Sequence, residues 1–155
     1  MTDPKTTTGS AIVAPAEDTT TYLLDDMALY LAQNTTFIPG QDLFAGLMPD
    51  DLEGIMCALF EYEGGPPLYV MGADQSLPAF SQPSLQVIVR SNDNYESSIV
   101  AITTVTKALE RITNEVVNGT LYYRVARKSD PFLMDRDARR RVYHVCNFEV
   151  MRKPS

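Results

Sequence analysis

His144, Cys146 and Cys57 are the side chains of this 155-residue sequence best suited to chemistry. His144 and Cys146 lie two apart, so on a strand they would share a face about 7 Å apart. Cys57 could add a third metal ligand. Zinc sites, however, use paired ligand spacings such as CxxC, and none is present. Val142, Phe148 and Val150 have the same parity, which makes His144 and Cys146 members of an apolar stripe before they are ligands. For nucleophilic catalysis His144 is the only imidazole base. Neither cysteine stands at an expected helix N-terminus, where its pKa would fall. No GxSxG, HExxH or phosphate-loop pattern occurs. "GGPP", residues 64–67, is a turn that opens no helix and so cannot cradle a phosphate. The expectation is a protein that is not an enzyme, with no catalytic residue, metal or cofactor.

Arg124, Arg127, Lys128, Arg136, Arg139, Arg140 and Arg141 form a basic cluster with tyrosines nearby. A dedicated nucleic-acid binder carries a clearly basic face, whereas the whole chain has net charge −7 and a pI near 4.6. Residues 1–119 hold sixteen acids against four bases, and the rest hold nine bases against four acids. Such a split suits acidic and basic surfaces that meet neighbours, copies of the same chain included. A fold that mixes the two halves would erase it. Pro131, Phe132, Leu133 and Met134 form an apolar loop tip between charged residues, which must fold back on the core or bury itself in a partner.

Two cysteines without a secretion signal point to free, buried thiols in a reducing compartment. The first 20 residues, rich in Thr, Ala and Pro, read as a flexible arm before an α+β domain spanning 21–152. No run approaches the roughly 18 apolar residues of a membrane helix, so no membrane partner is expected.

The elements that must position these residues follow from periodicity. "TTTYLLDDMALYLAQNT" is a helix capped by Thr20 or Thr21, with Leu23, Leu24, Met27 and Leu31 on one face and Asp25 and Asp26 opposite. Residues 36–54 are a long connection with room for one helical turn. "IMCALFEYE" is a strand that GGPP ends, and "LYVMG" is a short return strand. "SLQVIVRS" is a clearer strand, with Leu85, Val87 and Val89 on one face. Asp93 and Glu96 open a long helix whose buried face carries Tyr95, Ile99, Ile102, Val105, Thr106, Leu109 and Ile112. Asn118-Gly119 is a hairpin turn. After the loop 129–139, a last strand runs from about Arg140 to Met151. The predicted fold is α+β, a mostly antiparallel sheet of four to five strands with helices packed on one face.

This order of elements resembles the tail terminator proteins of long-tailed bacteriophages, often labelled minor capsid proteins. The resemblance spans about Tyr22 to Met151. It rests on the helix "LLDDMALYLAQN", the loop "FAGLMPDD", "LQVIVRSNDNY" leading into "ESSIVAITTVTKALERI", a hairpin, and "PFLMDRDARRRVYHVCNFEV". Arg90, Pro131, Leu133, Arg141, Asn147 and Phe148 match the family's pattern. Met134 stands where the family often has Gly, and the loop is one residue longer.

The resemblance implies a structural virion protein at the head–tail junction. It would form a ring, commonly a homohexamer, that caps the tail tube, stops its polymerisation and joins it to the head-side connector. DNA would pass through the lumen without being read. The implied partners are further copies of the chain, the tail-tube protein and the connector or stopper. A stopper or tail-tube-like subunit is the neighbouring alternative, and a cytosolic nucleic-acid-binding module a more distant one. Arg90, Pro131, Phe132, Leu133, Met134, Arg136, Arg139, Arg140 and Arg141 are the candidate contacts to another subunit.

Overall fold

Two apolar alternations, Leu85–Val87–Val89 and Val142 through Val150, pair with each other in the middle of one sheet. The computed structural model describes residues 21–68, 79–92 and 94–154; the expected arm at 1–20 and most of the expected return strand at 68–72 lie outside them. The described elements, in chain order, are α1 (Leu23–Asn34), β1 (Leu43–Ala45), β2 (Met56–Leu68), β3 (Phe80–Ser91), α2 (Tyr95–Glu110), β4 (Thr113–Val117), β5 (Thr120–Arg127), β6 (Phe132–Arg136) and β7 (Val142–Arg152). The strand order is β1-β2-β3-β7-β5-β4, with β6 also on β7. Every pairing is antiparallel except β1 with β2.

Both helices cover one face, as expected for α+β. α2 lies over β3, β7 and β5, while α1 touches β1 and β2 at one end of the strand order and β4 at the other. A single helix can reach both ends only if the sheet curls, the outcome of strand twist accumulated over several strands. The core inside the curl joins Leu23, Met27 and Leu31 of α1, Ile102, Val105 and Leu109 of α2, and Val87, Cys146, Phe148 and Val150 of the sheet.

The sheet has seven strands, where the sequence suggested four to five. One addition is β1, three residues pairing with β2 inside the connection where a helical turn was expected. Another is β6, in the segment read as a loop. GGPP does not end β2. Its register shifts between Tyr62 and Gly65 and again before Leu68, and pairing with β3 continues to Leu68–Phe80. A Cβ on Gly64 would collide with the Gln82 carbonyl oxygen and lie 2.8 Å from Pro83 Cα, so the close approach of β3 requires glycine there. Beyond Leu59 the other edge of β2 has no described partner strand, and Pro66 and Pro67 fall within the register shift between Gly65 and Leu68, where the regular ladder is already interrupted.

The Asn118-Gly119 hairpin forms as expected. Both residues have positive φ, 51° and 92°, as a two-residue turn of this hand requires. α2 is capped by Asn94, whose side chain accepts from Ser97 N–H at 3.1 Å; Asp93 lies outside the described residues. Tyr95, expected on the buried face of α2, is about half exposed, because the first helical residue precedes the turns that meet the sheet.

The largest correction concerns Asp26. It was expected on the solvent face of α1 but is fully buried. Thr21 Oγ1 and the Tyr122 hydroxyl donate short bonds to its carboxylate, and Asn118 Nδ2 donates at 3.1 Å. Arg152 stands 3.9 Å away and also donates to Thr21 O at 2.9 Å. Burial, then the bond to Asp26, raises the Tyr122 pKa, which keeps the phenol a donor. The carboxylate thus ties α1 to the β4–β5 turn, to β5 and to the end of β7. Thr21 is occupied here and does not cap α1; Tyr22 is the N-cap and makes no side-chain bond.

Asp26→Ala is expected to lower the unfolding free energy by about 3 kcal/mol, because it strands the buried Tyr122 hydroxyl and the mostly buried Arg152 guanidinium. The exposed neighbour Asp25→Ala should change it by less than about 0.5 kcal/mol. Denaturant titration of the two variants measures the difference.

Candidate assembly interface

β5 and β6 are two stretches of one track along β7. β5 pairs from Tyr122–Arg152 to Arg127–Phe148, Lys128 N–H donates to Asn147 O at 2.8 Å, and β6 resumes from Phe132–Val145 to Arg136–Val142. Residues 129–131 bulge out between them. β4 pairs with β5 only as far as Arg124, so the outer edge of β6 has no described partner. Phe132, Leu133 and Met134 on this strand are 44%, 48% and 50% exposed. The structure therefore leaves the apolar tip on the surface, as an edge strand, and does not fold it into the core.

β6 turns back into β7 through residues 137–141, and this turn is rigidly held. The Asp137 carboxylate accepts from the backbone N–H of Arg139 at 2.9 Å and of Arg141 at 3.0 Å. It also accepts from Arg141 Nε at 2.7 Å and the Tyr143 hydroxyl at 2.9 Å. Burial would raise its pKa, but the Arg141 N–H, the Tyr143 hydroxyl and the remaining donors outweigh that and hold it at about 2. Arg140, with φ 65°, makes the reversal.

Arg141 reaches the other way as well. Its Nη1 donates to Asp50 O at 2.7 Å and its Nη2 to the Asp50 carboxylate at 2.6 Å. Asp50 is held below the ordinary carboxylate range by this bond first and by the charges of Arg141 and Arg139 next. Arg139 Nη1 adds a bond to Asp50 O at 2.8 Å. Arg90, 1% exposed on β3, donates to Leu52 O at 3.0 Å. Three arginines thus fasten the 50–52 loop at the end of the sheet where β3 leads into α2.

The nine candidate contacts divide accordingly. Arg90 and Arg141 are buried and act inside the chain, holding the loop and the turn. Arg136, Arg139 and Arg140 lie exposed around the turn, with Arg136 Nη1 on Arg140 O at 3.2 Å. Phe132, Leu133 and Met134 are exposed beside them, and Pro131 is half-buried at the start of β6. Asp50, Asp137 and Tyr143 were missed. Their signal was the need of so many arginines for acids, together with the i, i+4 spacing of Asp137 and Arg141.

The basic cluster is partly paired within the chain. Arg127 pairs with Glu110 at 2.9 Å and Asp130 at 3.4 Å, and Lys128 lies over the Tyr62 ring at 5.0 Å. His144 is buried against α2, its Nδ1 2.7 Å from Ser98 Oγ and its ring edge-on to Tyr95. Burial lowers its pKa and favours neutral imidazole. Both cysteines are buried free thiols pushed up by burial. Among the described residues no three His, Cys, Asp or Glu side chains converge, and no helix is long and apolar enough to cross a membrane.

Residues 30–153 match the family described as "Bacteriophage tail terminator protein". The fold is similar to that of a chain in a solved structure titled "Virion of native gene transfer agent (GTA) particle", with TM-score 0.54, 13% identity, and 82% of this chain and 86% of that one covered. No curated protein sequence matches the chain.

Asp137 is depressed to about 2 from an ordinary 3.8, so its share of the stability is complete above pH 3.8 and is lost as the pH falls through 2. Carboxyl NMR should show the Asp137 signal constant from pH 7 to about 4 and titrating only near pH 2; a midpoint near 4 would show the turn to be unformed. Arg141→Met should speed amide exchange at residues 50–53 and 137–140 at least about tenfold by freeing both loops.

Proposed function

The chain belongs to the bacteriophage tail terminator protein family, and from that premise we propose that it forms a closed homo-oligomeric ring, a hexamer, that caps the tail tube. The ring stops tube growth, joins the tail to the head-side connector and lets DNA pass at the head–tail junction. The observation that carries this reading is the β6 edge. A surface strand with three adjacent half-exposed apolar side chains and an edge that has no partner among the described residues suits a permanent neighbour better than water.

Magnitudes favour protein association over chemistry or DNA reading. Burying the exposed halves of Phe132, Leu133 and Met134 contributes about 1 kcal/mol each. The basic charge of this region is partly offset by Asp50, Asp130, Asp137 and Glu110, on a chain whose net charge of −7 disfavours phosphates. A ring requires a heterologous contact, one face of a protomer on a different face of the next. With a net charge of −7 per chain, such a ring repels phosphate overall and lets DNA slide.

Native mass spectrometry of the protein, alone and with tail-tube protein, tests the reading. A ring alone, or one that forms on the tube end, supports it; a strict monomer that never binds tubes contradicts it. Particles lacking the protein should carry overlong or unattached tails, whereas DNA-leaking heads would indicate a stopper. Leu133→Asp should weaken self-association at least about tenfold while leaving Tm within about 2 °C, since the side chain is on the surface of the isolated chain.

A further inference from the structure

The outward side of α2 is as unusual as β6. Val100 is 59% exposed and Ile55, beside it, 38%. A hollow of about 400 Å³ is lined by Ile55, Glu96 and Val100. A second includes Val100, Thr104 and Lys107, and a third Phe37, Asp42, Ile55 and Thr104. Shared residues make the three one groove along the helix. It has an apolar floor, with acid at the N-terminal end and on one wall, and Lys107 at the C-terminal end.

We propose that this groove receives β6 of the neighbouring copy of the same chain. The inference rests on the ring reading and names the two faces that meet. Length fits: from Glu96 to Lys107 the helix rises about 16 Å, and the five residues of β6 extend about 16 Å. Charge fits at both ends when β6 lies antiparallel to α2. Its C-terminal end brings the cations of Arg136, Arg139 and Arg140 to Glu96. Its N-terminal end brings Asp130, whose side chain is 93% exposed, to Lys107. The wall from 36 to 55 repels no arginine, because residues 6–89 contain neither Lys nor Arg. Between the charged ends, Phe132, Leu133 and Met134 meet Ile55 and Val100. The two faces are different, so the contact is heterologous and its repetition closes a ring or continues as a filament.

Leu133→Cys and Val100→Cys are made in separate full-length chains, mixed and mildly oxidised; both positions are on the surface, and Cys57 and Cys146 are fully buried. The mixed disulfide dimer is expected at least fivefold above either same-variant dimer. Rings seen by native mass spectrometry without that mixed disulfide would overturn the groove assignment and leave the ring reading standing. A mixture that forms no assembly, alone or with tail-tube protein, would overturn the ring reading and this inference with it.

Discussion

An eleven-residue strand in the middle of a sheet has two edges of backbone groups to satisfy, and β7 imposes that requirement on everything around it. β3 satisfies one edge over nearly its whole length, from Ser81–Arg152 to Ser91–Val142. On the other edge β5 accounts only for Phe148 to Arg152. The chain that leaves β5 therefore continues along β7, and β6 exists because Val142 to Val145 still need partners. β4 stops at Arg124 and does not follow. The β6 edge, without a partner among the described residues, and the exposed Phe132, Leu133 and Met134 are consequences of that mismatch in strand length.

Two polar nodes, at opposite ends of the sheet, fix the geometry that this requirement leaves open. At one end the buried Asp26 gathers Thr21, Asn118, Tyr122 and Arg152, and so sets where α1 closes the curl. At the other, Arg141 binds Asp137 on its own turn and Asp50 on a distant loop. Removing one member of such a node costs more than the net value of its bonds, because the remaining groups are left desolvated. The second node fixes the β6–β7 turn, so the apolar strand is presented in one orientation. Burial of a rigid strand against a partner loses less conformational entropy than burial of a mobile loop.

Elements with a strong local period were legible in the sequence. These include α2, the Asn118-Gly119 hairpin, and the inward parity of β3 and β7 that makes His144 and Cys146 core residues. The family was legible as well, from the order of elements and the final strand. What was not legible depends on distant pairing. β1 and β6 have little strand propensity of their own and form because β2 and β7 offer partners. GGPP reads as a breaker unless the approach of Gln82 to Gly64 is known. Asp26 looks like a surface residue until Tyr122 and Arg152, about a hundred residues on, are brought to it. The apolar tip at 131–134 was visible as an anomaly, and its exposure as an edge strand was not.

Electron-microscopy imaging of the purified assembly at secondary-structure resolution tests most directly the proposal that β6 is a subunit contact within a closed ring. Closed rings of one rotational symmetry are expected, with every β6 strand buried between adjacent protomers. Rings with β6 facing solvent, or particles with no rotational symmetry, would contradict it.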